Sequence, residues 1–155
     1  MPDQHALLSA SGAHRWLNCT PSAVLESGEP GSTSDAAEQG TAAHALGEHK
    51  LRKALKQRSK RPVSTWHDDE MEELTDDYAA YVLEQFNTAK VECADARLLI
   101  EQRLDFSHIV PGGFGTGDAV IITEPCLHII DLKYGMGVLV EAEHNPQLML
   151  YPCPA

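Results

Sequence analysis

The sequence has no apolar stretch that approaches the roughly 20 residues a helix needs to cross a bilayer. Its first residues, Met-Pro-Asp-Gln-His, also lack the basic-then-apolar order of a secretory signal. We therefore expect a cytoplasmic protein that does not associate with membranes. The 155 residues, 43% of them hydrophobic, suffice for one domain with a modest core.

The chain also has few cysteines, and none of them forms a Cys-x-x-Cys pair. The four cysteines stand at positions 19, 93, 126 and 153. This spacing excludes the zinc-ribbon class of site, which requires closely paired cysteines. In a reducing compartment we expect all four to be free thiols.

Positive charge is scarce, with 12 Lys and Arg against 23 Asp and Glu and a net charge of −11. This balance argues against a broad nucleic-acid-binding surface, although not against a local site where metal ions offset the acids. More than half of the cations fall within residues 50–61. They are Lys50, Arg52, Lys53, Lys56, Arg58, Lys60 and Arg61. Two interpretations stay open, a solvated helix end with cations near its C-terminus and a contact with a phosphate backbone.

Short helical pieces are predicted over residues 5–26, with Trp16 and Leu17 as their buried anchors. His14 and Arg15 form either a surface pair or a phosphate contact. The N-terminal part of the chain is therefore expected to be helical and locally packed.

Two longer helices are predicted over residues 36–57 and 68–89. Asp35 followed by Glu38 resembles a capping box at the start of the first. Each helix has an apolar stripe at three-to-four spacing. The stripe of the first is Ala37, Thr41, His44, Leu51 and Leu55, and that of the second is Met71, Leu74, Tyr78, Val82 and Phe86.

The second half of the chain predicts strands, at residues 97–106, 115–123, 127–133 and 138–142. Asn145 is a typical N-cap, and Pro146 is a typical first residue of a helix. A final helix is therefore expected to begin here and to continue through residues 147–151. The order is therefore helices, three or four strands and the start of a helix.

The second and third strands are joined through Glu124 and Pro125, and a loop symmetric about these two residues fixes the pairing. Thr123 then faces Cys126, and Asp118 faces Asp131. Opposed residues have Cβ atoms about 5 Å apart, so the two carboxylates repel one another. Lys133 points to the same face of the sheet as Asp131.

Two acids and a lysine on one face suit a hard divalent cation, which could activate water and stabilise charge on a phosphate. A solvent-facing hairpin that carries an Asp-Lys pair is the alternative. His44, on the inward face of a helix turn kept thin by Gly40, is by itself more typical of a hydrogen-bonded core residue than of a metal ligand.

Four motifs, in order, give the chain a resemblance to the PD-(D/E)XK nucleases, and within them to the RecB-like exonuclease branch. They are Gly40-Thr41-Ala42-Ala43-His44, Gly115-Thr116-Gly117-Asp118, Asp131-Leu132-Lys133 and Gln147-x-x-x-Tyr151. The segment Ser-Gly-Ala-His-Arg-Trp-Leu-Asn-Cys and the block from Asp131 to Tyr151 are similar to a phage and prophage family of unknown function in that branch. The resemblance covers nearly the whole chain.

The resemblance implies an α/β fold with a restriction-endonuclease-like core, in which helices flank a mixed sheet that starts antiparallel. It implies a single domain over 1–155, with a helical part at 1–90 and a part with the sheet and motifs at 97–155. It also implies that Mg²⁺ or Mn²⁺ is the cofactor and that DNA is the partner. The metal ligands would be His44, Asp118, Asp131 and the carbonyl of Leu132.

The same resemblance changes the interpretation of His44 from core residue to ligand. Lys133 would orient the attacking water or steady the phosphate. Gln147 and Tyr151 would support the site or touch the DNA, which completes a catalytic set with Asp118 and Asp131.

The chain departs from the family pattern in two respects. Relatives continue past the Gln-x-x-x-Tyr helix, so the end at Pro152-Cys153-Pro154-Ala155 is expected to be a truncation. An open sheet edge left by a missing element would make a homo-oligomer plausible. Some relatives hold an iron–sulfur cluster through one early and three late cysteines, but only Cys153 follows Tyr151, and no cluster is predicted.

The predicted function is that of a metal-dependent deoxyribonuclease, of exonuclease type and of phage or prophage origin. The alternative is a truncated, non-catalytic nuclease fold that serves as a DNA-binding or interaction module. A hydrolase for another phosphoester is a third interpretation. The intact metal and lysine positions favour the first, whereas the acidic charge and the short C-terminus favour the second.

Overall fold

The computed structural model describes residues 6–28, 34–135 and 140–153. These residues form a mixed α/β structure in which helices accompany a three-stranded sheet. The helices are α1 (Ala13–Trp16), α2 (Ser22–Ser27), α3 (Asp35–Ala54), α4 (Asp69–Glu92) and α5 (Pro146–Leu150). The strands are β1 (Arg97–Asp105), β2 (Phe114–Ile122) and β3 (Leu127–Ile130).

The described residues fall into two compact units. The central unit is drawn from 33–100 and 118–137, and it holds α3, α4, β3 and parts of the two longer strands. The terminal unit is drawn from 1–32, 101–117 and 138–155, and it holds α1, α2 and α5. The domain prediction of a single unit over 1–155 stays a prediction.

Side-chain caps begin both long helices of the central unit. Ser34 accepts a hydrogen bond from the backbone N–H of Ala37 (3.2 Å) at the start of α3. Asp68 does the same for the N–H of Met71 (2.8 Å) at the start of α4. The prediction that Asp35 caps the first helix was therefore wrong by one residue, because Asp35 is already helical and Ser34 has the extended backbone that a cap requires.

The core of the central unit lies between α3, α4 and the sheet, and it differs in detail from the predicted stripes. Ala37 and Thr41 are exposed, and Leu74 is 44% exposed. The buried residues of the two helices are Ala42, Ala43, Leu46, Gly47, Leu51, Met71, Thr75, Ala79, Val82 and Ala89. Leu51, Met71 and Val82 agree with the predicted stripes. The small residues of this face, such as Ala43, Gly47 and Ala79, were not in those stripes.

The sheet has the strand order β1-β2-β3, and its register agrees with the prediction from the turn. Strands β2 and β3 are antiparallel, with Ala119 opposite Ile130 and Ile122 opposite Leu127. The N–H of Thr123 donates to the carbonyl of Cys126 (2.9 Å) at the end of the hairpin. Strand β3 ends at Ile130, so the predicted extension of this strand to 133 was wrong.

The terminal unit contains the short helices, and α1 contacts both α2 and α5. The Trp16 indole donates to the carbonyl of Ser9 (2.9 Å) and is partly buried, whereas Leu17 is 58% exposed and is not the predicted anchor. Arg15 pairs with Glu26 (3.0 Å). The surface interpretation therefore accounts for Arg15.

The final helix begins as predicted, because the Asn145 side chain accepts hydrogen bonds from the N–H groups of Gln147 (3.0 Å) and Leu148 (3.3 Å). The predicted fourth strand at 138–142 lies partly outside the described residues. Its described part, 140–142, is not in a strand, so that part of the prediction was wrong.

Two expectations about composition concern the whole chain. The four cysteines are free thiols, as expected. Among the helices of the described residues, none combines the length and the apolar character that crossing a membrane requires.

Candidate metal centre

A contact between α3 and β2 forms the centre of the candidate site in the central unit. The Nδ1 atom of His44 lies 3.1 Å from Oδ1 of Asp118. The His44 side chain is 31% exposed and that of Asp118 only 10%. Ala43 and Gly47 keep this part of α3 thin and buried, which brings the imidazole to the strand. The pair joins residues 74 positions apart in the sequence.

The second oxygen of Asp118 connects β2 to the segment that follows β3. The N–H of Leu132 donates to Oδ2 of Asp118 over 2.7 Å. A backbone donor of this kind fixes the orientation of the carboxylate. Both oxygens of Asp118 are therefore positioned, one toward His44 and one toward the backbone after Asp131.

The third group is Asp131 with Lys133. The Lys133 ammonium lies 2.6 Å from Oδ2 of Asp131, and the two side chains are 47% and 6% exposed, respectively. Burial raises the pKa of the Asp131 carboxyl above its ordinary value, and the charge of Asp118 raises this pKa further. Lys133 and His44 act in the opposite direction. Asp131 is thus a buried acid whose charge is only partly offset by its neighbours.

Contacts and charge interactions connect three of the predicted metal ligands, His44, Asp118 and Asp131, and also the predicted catalytic lysine. The side chains of His44 and Asp118 touch directly, and Asp118 repels Asp131 electrostatically. The set offers one imidazole and two carboxylates, which suit Mg²⁺, Mn²⁺ and similar ions. A bound cation would reduce the electrostatic repulsion between Asp118 and Asp131. This repulsion destabilises the folded protein when no metal is bound.

The spacing of His44 and Asp118 fits adjacent ligands of one ion. Ligand atoms about 2.1 Å from an octahedral ion lie about 3.0 Å apart when they are neighbours in its shell. The separation of Nδ1 and Oδ1 is 3.1 Å. The residues therefore fit the metal that the sequence predicted.

The remaining two predicted residues, Gln147 and Tyr151, lie in the terminal unit. The Gln147 amide donates to the Tyr151 hydroxyl (2.7 Å), which in turn donates to the carbonyl of Thr116 (2.9 Å). The Tyr151 side chain is 2% exposed. This helix therefore uses the predicted pair to hold the backbone of β2, two residues before Asp118 in the sequence.

Two structural features were not predicted, one in the central unit and one in the terminal unit. The sequence indicated the carbonyl of Leu132 as a ligand, but it gave no signal for the N–H of the same residue as a donor to Asp118. Glu101 has a φ of 52° inside β1. A non-glycine residue in this left-handed region is uncommon and is often found near functional sites. The alternating pattern that predicted β1 does not reveal such a backbone conformation.

Comparison with known proteins places the chain in a family. The family model described as "Protein of unknown function (DUF2800)" matches residues 5–155, so the chain belongs to this family. No solved structure matches the chain.

Proposed function

We propose that this member of the DUF2800 family is a metal-dependent nuclease that hydrolyses the phosphodiester bonds of DNA. The observation that carries the proposal is the convergence of His44, Asp118 and Asp131 in one buried cluster with Lys133 at its edge. Structural cores rarely collect two acids and a histidine in this way, because each buried charge costs free energy unless it is compensated.

Each residue of the cluster would have its own role in hydrolysis. His44, Asp118 and Asp131, with the carbonyl of Leu132, would hold Mg²⁺ or Mn²⁺. A bound divalent ion supplies Lewis-acid activation of water and neutralises charge on the phosphate. The hydrogen bond from the Leu132 N–H orients Asp118 before any ligand arrives. This order in the apo protein would reduce the cost of assembling the site.

Lys133 would interact with the substrate rather than stabilise the fold. Its side chain is about half exposed, while its ammonium is held at Asp131. An ammonium in this position can orient a water molecule or donate to a non-bridging phosphate oxygen as negative charge develops. The half-exposed lysine beside a buried acid supports its assignment as a catalytic residue.

The fold proposal is that the α/β structure is a restriction-endonuclease-like core. It is supported by the antiparallel β2–β3 hairpin, which carries Asp118 and ends one residue before Asp131, and by α3, which carries the histidine. Tyr151 and Gln147 support the proposal as residues that position β2, the strand of Asp118.

The test is cleavage of end-labelled linear duplex DNA and of nicked circular DNA by the purified chain with Mg²⁺ or Mn²⁺. We expect Asp131→Ala and Lys133→Ala each to slow cleavage by about 100-fold or more, the scale of losing one electrostatic catalytic group. Asp95→Ala and Lys90→Ala, at exposed positions of the central unit, are the matched controls.

Thermal melts establish that each variant is folded before rates are compared. An Asp131→Ala variant that cuts DNA as fast as the parent would refute the nuclease assignment. A folded parent that binds metal and DNA but cuts neither substrate would instead favour the non-catalytic module.

A further inference from the structure

A basic concavity lies at the C-terminal end of α3, and no acidic residue of the described part of the chain lines it. Its volume is about 720 Å³, and we call the segment that forms it, residues 53–60, the basic loop. The lining residues are Lys53, Lys56, Gln57, Arg58, Ser59 and Lys60. Four cations on one small surface stand out in a chain with a net charge of −11.

The fold divides the cations of residues 50–61 into two groups. In the first group, Lys50 pairs with Glu72 (2.9 Å) and Asp76 (2.7 Å), and Arg52 pairs with Glu48 (2.7 Å). Arg61 also pairs with Glu72. The pairs of Lys50 and Arg61 are made with acids of α4, and the pair of Arg52 lies within α3. These three cations therefore contribute little free charge.

The second group is the set of cations in the basic loop. All four are exposed. Within residues 6–28, 34–135 and 140–153, no ion pair is found for Lys53, Lys56, Arg58 or Lys60. Their charges are therefore available to a ligand.

Helix-dipole stabilisation accounts for only part of the basic loop. The dipole effect falls off within the last turn, so it suits Lys53 inside α3. Lys56, Arg58 and Lys60 follow the helix C-cap at Leu55. The helix dipole therefore does not explain why three cations stand at alternate positions beyond the end of the helix.

The backbone holds the basic loop in a defined shape. Lys56 has a φ of 59°, and the N–H of Gln57 donates to the carbonyl of Arg52 (2.8 Å), so the chain turns sharply at the helix end. Further along, Ser59 is hydrogen-bonded to Nδ1 of His49 on α3 (2.9 Å). The turn and this anchor hold the segment that carries the cations against the helix.

We propose that the basic loop binds the phosphate backbone of a nucleic acid, independently of base sequence. Flexible lysines act as point charges for phosphates, and neutral groups such as Gln57 and Ser59 commonly donate to phosphate oxygens as well. Four cations exceed what a single phosphate group needs. Repulsion from the acidic remainder of the chain would confine a polyanion to this surface.

The test measures binding without metal, so it does not depend on catalysis. Fluorescence anisotropy follows a labelled 20-base-pair DNA duplex with the full chain in EDTA, over a series of NaCl concentrations. Arg58→Gln with Lys60→Gln is the test variant, and Lys90→Gln with Arg97→Gln is the matched control with the same change in net charge. All four positions are exposed and lie in the central unit.

We expect the test variant to weaken binding by about tenfold and to lower the slope of log K against log[salt] by about 2, one for each lost phosphate contact. The control should bind like the parent. Because this assay contains no divalent metal and no cleavage step, its failure is distinguishable from failure of the nuclease assignment, which the cleavage assay tests. Parallel series with single-stranded DNA and an RNA hairpin identify which phosphate backbone binds best.

Any one of three results would overturn the proposal. These are no binding by the parent at low salt, an equal loss of affinity in the test variant and the control, and an unchanged affinity in the test variant. Melts of both double variants ensure that affinities of folded proteins are compared.

Discussion

At the residue scale, Asp131 is the residue whose substitution tests the energetics of the site most directly. It is buried, lies near a second acid and pairs with the Lys133 ammonium over 2.6 Å. Such an acid destabilises the folded apo protein when it is ionised, because its charge is better solvated in the unfolded chain. A bound divalent ion would reverse the sign of this contribution.

We expect Asp131→Asn to raise the melting temperature of the metal-free protein at pH 7. The change removes the buried charge and the repulsion from Asp118 while it conserves the size of the side chain. The same variant should lose the upward shift of the melting temperature that Mg²⁺ gives the parent, a shift worth about 2.7 kcal/mol at a concentration of 100 Kd. Differential scanning calorimetry in EDTA and in Mg²⁺ measures both effects. A metal-free variant that melts below the parent would contradict this account of the site.

His49 gives a second prediction at the residue scale, this time about pH. Burial lowers the pKa of His49 below its ordinary value of 6.5, and the charges of Arg61 and Lys53 lower this pKa further. The unfolded chain therefore binds the proton more readily than the folded one. The stability that neutral His49 provides is complete above about pH 6.5 and is lost as the pH falls toward the lowered pKa.

We expect His49→Gln to lose less stability than the parent between pH 7.5 and pH 5, as measured by urea unfolding at each pH. Glutamine cannot be protonated here, yet it can still bond to Ser59. His128→Gln, at an exposed position of β3, is the control and should keep the parent's pH profile. Parallel pH profiles for parent and His49→Gln would show that His49 does not titrate as described.

At the scale of elements, α3 has a face built from small residues, and its two glycines have different surroundings. A Cβ at Gly40 would meet no atom within 4 Å. A Cβ at Gly47 would lie 3.2 Å from the Tyr78 ring and 3.4 Å from Leu132. Only Gly47 is therefore required for close packing, although Gly40 is the glycine in the motif before His44.

We expect Gly40→Ala to stabilise the protein by about 0.5–1 kcal/mol, the helix-propensity difference between the two residues. Gly47→Ala gains the same propensity but forces its neighbours apart, so its net effect should be smaller or destabilising. Urea unfolding curves with unchanged m-values compare the two variants directly. Equal stabilisation by both substitutions would refute the distinction between them.

Elements that depend on local chemistry were largely predictable from the sequence. The cap at Asn145 and Pro146 fixed the start of α5, and the turn at Glu124 and Pro125 fixed the register that opposes Ala119 to Ile130. The details of packing were only partly predictable, because half of the residues buried on α3 and α4 are alanines or a glycine, which the periodicity of large residues does not reveal. The exposure of Leu74 and the left-handed φ of Glu101 likewise depend on tertiary structure.

At the scale of the whole molecule, the charge distribution links the candidate site to its proposed substrate. The chain is acidic overall, and the structure pairs three of the seven cations in residues 50–61 with acids. Among the described residues, the cations of the basic loop have no ion pair. Sequence spacing alone does not separate these two roles, because the pairs of Lys50 and Arg61 depend on which acids α4 places beside them.

The site residues were predicted from motifs, whereas the contacts between them are visible only in the structure. His44 and Asp118 are far apart in the chain, and no spacing rule joins them. Their contact depends on the packing of α3 against β2. The direct consequence is that one divalent ion should bind through both residues.

The most direct test of this claim is calorimetric titration of Mn²⁺ into the purified chain, beside His44→Ala and Asp118→Ala. The account predicts one site in the parent and a loss of affinity of more than about tenfold in each variant, since even outer-shell changes cost that much. His128→Ala and Asp95→Ala should bind like the parent. A folded parent that binds no Mn²⁺, or variants that bind it unchanged, would contradict the account.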